Sequence, residues 1–203
     1  MTVNIRRILF ISGIISFIIS PSFGQLSLTG EIRPRTEWRN GFKTLLNEGE
    51  QPALFTEQRT RLNLNFKEDR LEFHLSAQEV RIWGSVNQIY KTDPSLVNMY
   101  EAWGKYIISS NLAIKIGRQA LDYDNARFLG DLDWAQQGRS HDAVLLSFED
   151  SLGTKIHLGA GFNQNIPFEP GKLSGTLYEN MDNYKTMQFL WFHKDYTASK
   201  FSV

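Results

Sequence analysis

From Leu26 onward, hydrophobic and polar positions alternate. Leu26, Leu28, Gly30, Ile32, Pro34, Thr36 and Trp38 share one parity; Ser27, Thr29, Glu31, Arg33, Arg35, Glu37 and Arg39 share the other. A period of two is the spacing of a strand whose successive side chains point to opposite faces. The pattern returns at Leu54–Lys67, where Leu62, Leu64 and Phe66 oppose Glu57, Arg59, Arg61 and Lys67, and again at Leu71–Gln78. Weaker runs follow at Met99–Ile108, Leu112–Ile116, Ala143–Phe148, Lys155–Phe162 and Tyr184–His193, and Phe201–Val203 reads as the start of a ninth. In the Met99–Ile108 run, parity sets Glu101 and Lys105 against Tyr100, Ala102, Gly104 and Tyr106. No segment after residue 24 carries a helical period, so the predicted fold class is all-β and antiparallel.

The connections alternate as well. Long ones, around residues 40–53, 84–97, 119–140 and 164–183, take turns with short ones at Glu68–Arg70, Ser109–Asn111, Glu149–Gly153 and Lys194–Asp195. In an antiparallel meander this sorts long loops to one end and tight turns to the other. A soluble sandwich has no reason to do so, whereas a transmembrane β-barrel has short periplasmic turns and long external loops. Aromatic residues near strand ends, Trp38, Phe66, Trp83, Tyr100, Tyr106, Trp191 and Tyr196, suit the interfacial girdles of such a barrel.

Residues 1–24 read as a cleaved signal peptide. Arg6 and Arg7 form a basic start, Ile8–Ile19 is an apolar run too short to span ~30 Å of hydrocarbon, and Ser22 and Gly24 are small residues before a cut at Gln25. The expected location is therefore the outer membrane of a Gram-negative bacterium, with membrane lipid as a partner. The domain division is 1–24 for the signal peptide and 25–203 for the barrel.

Charge and composition remove several classes of function. Lys plus Arg and Asp plus Glu both number 22, so there is no global basic field and nucleic acid is not an expected partner. Mean hydropathy is −0.33, which excludes a bundle of transmembrane helices. The chain has no cysteine, hence no thiol nucleophile, disulfide or zinc-thiolate site. The four histidines lack metal-ligand spacing, and Asp122, Asp124, Asp131 and Asp133 lack the pattern of a calcium loop and read as solvated acids. No cofactor is expected.

The polar face concentrates cations. Arg33, Arg35, Arg39, Arg59, Arg61, Lys105 and Lys115 lie on it with Glu31 and Glu101, and Arg139 joins them if the sixth strand keeps its phase. Two roles suit this face. Guanidinium groups lining a lumen attract carboxylates and bind them bidentately. Alternatively, Arg and Glu on neighbouring strands pair to stiffen the wall. Arg118 falls by parity on the apolar face, so either Gly117 seats a register-shifting bulge or Arg118 lies at the loop base. Arg118, Arg127 and Asp142 are weaker loop candidates. Ser140, His141 and Asp142 have the residue types of a hydrolase triad, but neighbours on a strand point to opposite faces and cannot form a relay.

The segment Ile116-Gly117-Arg118-Gln119-Ala120-Leu121, followed by Asn125–Gly130, Asp133-Trp134 and Gly138–Ala143, resembles the alginate-export family of outer-membrane barrels. Glu31–Arg35, Gln58–Leu62 and Tyr100–Trp103 resemble that family's first, second and fourth strands, so the likeness covers most of residues 26–148. The resemblance implies a porin-like, non-enzymatic channel for anionic polysaccharide or oligosaccharide, with the barrel-assembly machinery as a partner during biogenesis. Family barrels have about twice as many strands as this chain supplies, so the expectation is the N-terminal part of a larger barrel. A closed eight-stranded barrel filled by side chains is the other possibility. The alternative functions are a general porin for small anions, an outer-membrane acyl hydrolase and a non-conducting structural barrel.

Overall fold

A computed structural model describes residues 24–41, 44–87, 96–163 and 184–203. The expected signal peptide lies outside them, except for Gly24. Nine strands form one sheet in sequence order: β1 (Gln25–Arg39), β2 (Ala53–Glu68), β3 (Leu71–Ile82), β4 (Val97–Ile107), β5 (Leu112–Gln119), β6 (His141–Glu149), β7 (Thr154–Phe162), β8 (Thr186–Asp195) and β9 (Lys200–Ser202). Every neighbouring pair is antiparallel. The sheet is open: β1 pairs with neither β8 nor β9, so the closed eight-stranded alternative is not what forms.

The faces are inverted relative to a soluble sheet. On one side Leu28 stands opposite Leu64, Leu64 opposite Leu75, Leu146 opposite Leu158, and Leu158 opposite Leu190. Members of this apolar side are bare, Ile32 and Leu54 each at 72% exposure. The polar side is the covered one: Arg59 is 1% exposed and Arg61 7%. An apolar surface this extensive would be costly in water at about 25 cal/mol per Å². Hydrocarbon removes that cost, and antiparallel strands with a dry face and a polar face are how a barrel meets it.

What covers the polar side is the connection 120–140, which folds back over it instead of standing free. Leu121 and Gln136 within it are buried. Its entry is held by Glu101, whose Oε1 accepts the Ala120 N–H at 2.8 Å. Tyr123 packs edge-on to His157 and Phe189, with ring centroids 5.6 and 5.4 Å away.

Two features correct the parity reading. Between β3 and β4 the register shifts, Ser76 facing Glu101 but Ala77 facing Met99. Tyr100 is the extra residue of this bulge, and it turns to the polar side, where it is buried. Tyr100 is thus no girdle aromatic. Trp191 is not one either: it shares the covered side with His157 and His193, at ring-centroid distances of 5.0 and 5.4 Å.

Candidate functional site: the arginine face of β1 and β2

The long strands β1 and β2 pair without interruption, so their polar residues meet in fixed order. Glu31 faces Arg61, Arg33 faces Arg59, and Arg35 faces Glu57. Two arginines directly opposite repel unless carboxylates intervene. Glu31 intervenes from the wall, its Oε1 taking hydrogen bonds from Arg59 Nη2 at 2.7 Å and Nε at 3.1 Å, with Arg33 Nε at 3.9 Å.

The second carboxylate comes from the folded-in connection. Asp133 Oδ1 lies 2.8 Å from Arg59 Nη1 and 3.2 Å from Arg61 Nη1, and its Oδ2 lies 3.3 Å from Arg33 Nη1. One carboxylate therefore bridges three guanidinium groups. Partial burial by itself would raise the Asp133 pKa, but the Arg59 hydrogen bond and the charges of Arg59, Arg33 and Arg61 outweigh it and hold the group below its ordinary 3.8. Asp133 is exposed, as expected of a loop acid, but it is also ion-paired to three arginines of the wall, which that expectation did not include.

Backbone carbonyls of the same segment take further donors. Arg35 Nη1 donates to Trp134 O at 2.8 Å, Arg33 Nη2 to Ala135 O at 2.9 Å, and Gln78 Nε2 to Gln137 O at 2.9 Å. Arg61 is fixed from behind: its Nε donates to Gln78 Oε1 at 2.9 Å and its guanidinium lies 3.6 Å over the Tyr100 ring. Gly138 closes the segment at φ +64°, and a Cβ there would sit 2.7 Å from Arg61 Nη2 and 2.8 Å from Tyr100. Only glycine suits that position.

Of the residues expected on the polar face, Arg33, Arg35, Arg59, Arg61 and Glu31 meet at this one site. Arg39 stands at the end of β1, paired with Glu37 at 2.6 Å and 4.6 Å over the Phe55 ring. Glu101, Lys105 and Lys115 form a separate group on β4 and β5. There, Glu101 is 3.4 Å from His74, Lys105 is 3.4 Å from Glu72, and Lys115 is 4.9 Å over Trp103. Arg139 is not on the wall: β6 begins at His141, and Arg139 is an exposed residue of the connection before it. Arg127 is likewise exposed in that connection.

Arg118 stays on the apolar side. Register runs unbroken through Gly117 opposite Ala143 and Arg118 opposite Asp142, so no bulge flips it. Gly117 adopts φ +124°, and a Cβ there would lie 2.3 Å from Ala102 O, which accounts for the glycine without a register change. Arg118 grips Asp142 bidentately at the loop end of β5, at 3.1 and 2.7 Å. This engages Asp142, while His141 Nδ1 lies 3.1 Å from the Tyr184 hydroxyl, so the Ser140-His141-Asp142 run makes no relay.

Alternation places Gln78 on the polar face of β3, but Gln136 and Gln137 lie in a connection, where side chains and carbonyls carry no periodic signal. Asp133-Trp134 was visible only as part of a motif. Among the described residues, no group of three His, Asp or Glu side chains is arranged to hold a metal ion.

No curated protein sequence matches the chain. A family model described as alginate export matches residues 24–156, which span β1 to β6 and the start of β7, including the whole arginine site. The family's description names alginate export, and the bare apolar face of the sheet is what a membrane location requires. The chain belongs to the alginate-export family.

Proposed function

We propose that the chain forms wall of an outer-membrane, porin-like channel, through which an anionic polysaccharide or oligosaccharide passes along an arginine-lined lumen. The observation that carries this reading is the arginine face of β1 and β2, where three guanidinium groups converge on a single carboxylate. A uronate offers the same group. In a narrow lumen such contacts act at short range, within a screening length of about 10 Å at 0.1 M salt. Cross-strand pairs Arg59–Glu31 and Arg35–Glu57 at 2.7 Å also stiffen the wall. Bracing and selectivity are thus compatible roles of one face. On this reading residues 1–24 are an export signal and the long connections face outward.

The test is current through the full chain in planar bilayers. An acidic oligosaccharide such as oligogalacturonate should block it at concentrations where uncharged maltooligosaccharide does not. Equal block by both, or no conductance at all, would refute a channel selective for anions. Hydrolysis of an ester substrate that Ser140→Ala abolishes would favour an enzyme instead.

A further inference from the structure

We propose that Asp133 is a tethered stand-in for the cargo's carboxylate, and that residues 131–138 hold the arginine site closed until an acidic sugar displaces them. The proposal rests on the channel reading above.

The first argument is an asymmetry of exposure. The Arg59 side chain is 2% exposed and that of Arg61 8%, yet the Asp133 side chain between them is 52% exposed. The cations are therefore built into the wall, while their shared anion sits on the solvent side. Glu31, the wall's own carboxylate on Arg59, is 39% exposed, so Asp133 is the more open of the two anions.

The second argument is that Arg59, Arg61 and Arg35 keep partners on the wall without the loop, whereas Arg33 donates its hydrogen bonds to residues 133, 135 and 136. Glu31 holds Arg59, Gln78 and the Tyr100 ring hold Arg61, and Glu57 with Glu37 hold Arg35 at 2.7 and 2.9 Å. Removing Asp133 leaves a preformed fork of donors, the state that an incoming carboxylate needs.

The third argument is chemical likeness. Residues 133–137 present one carboxylate followed by neutral carbonyl acceptors to Arg35, Arg33 and Gln78. A uronate ring likewise presents a carboxylate beside neutral oxygen acceptors. The segment has means of leaving: Gly130 and Gly138 flank it, and Leu132 just before Asp133 holds a non-glycine φ of +51°, a strained conformation that release would relax.

The experiment compares block by oligogalacturonate in the full chain and in Asp133→Asn, which keeps shape and removes the competing charge. Block should occur at about tenfold lower concentration, the worth of one charge-assisted contact. Asp122→Asn, an exposed acid of the same connection, serves as the control for loss of charge alone and should leave the blocking concentration unaltered. A second readout does not depend on how that variant folds. In Ala135→Cys, on a background without cysteine, oligogalacturonate should speed labelling by an impermeant thiol reagent, and maltooligosaccharide should not.

Unchanged or weaker block in Asp133→Asn, or labelling of Cys at 135 indifferent to the acidic sugar, overturns the stand-in role. If the wild-type chain is blocked by oligogalacturonate and only these two results fail, the channel reading stands and the stand-in falls alone. If the wild-type chain is not blocked, both fall.

Discussion

Arg33 and Arg59 face each other directly across β1 and β2, and two carboxylates from different places keep them there. Glu31 belongs to the wall and Asp133 to the folded-in connection. Glu31→Gln should therefore leave Asp133 as the one carboxylate of this pair between the facing arginines. Because Glu31 is partly exposed, the expected loss is about 1–3 kcal/mol of stability, less than for a fully buried pair. A lowered urea midpoint in detergent micelles checks this; an unmoved midpoint would show that the repulsion is relieved by solvent.

The hold of Asp133 has a pH dependence with a definite sign. Its folded pKa lies below the ordinary 3.8, so the contribution is present above that value and lost as pH falls through the lower, folded value. A dye on Ala135→Cys should keep its anisotropy from neutral pH down to about pH 4.5 and lose it only in stronger acid. Release of the loop near pH 6 would implicate some other group.

Gly138→Ala should loosen the same segment. The added methyl meets Arg61 and Tyr100 while the backbone is held at φ +64°. The cost should exceed about 1 kcal/mol, the usual figure where alanine is forced to positive φ. The dye at residue 135 should then move faster while circular dichroism retains its strand signal. Unaltered anisotropy would count against a tight closure.

Orientation is testable with single cysteines. Glu48 lies in a long connection and Arg70 in a tight turn, both exposed and at opposite ends of the sheet. An impermeant maleimide on intact cells should label Glu48→Cys and spare Arg70→Cys; the reverse pattern would invert the chain in the membrane.

Much of the fold was legible because a strand with one dry face writes its period directly into the chain. Both ends of β1 fall within one residue of the alternating run, and Arg33, Arg35, Arg59 and Arg61 lie on the face that parity gave them. What parity could not carry were the irregular places. A bulge costs one residue of phase and sends Tyr100 inward. Arg139 lost its place because β6 starts two residues later. The ion pairing of Asp133 has no sequence signal because a connection has no period, and nothing local marks that it will fold back onto arginines about 70 to 100 residues earlier. The site is thus half written in the strands and half in a tertiary contact.

The most direct test of the central claim is the reversal potential of the full chain in bilayers under a salt gradient. Arg33, Arg35, Arg59 and Arg61 are replaced together by glutamine, which keeps hydrogen-bonding capacity and removes charge. The account predicts a shift of the reversal potential toward cations, accompanied by loss of block by acidic oligosaccharide. An unchanged reversal potential in a correctly folded quadruple variant would contradict it and leave these arginines as braces of the wall.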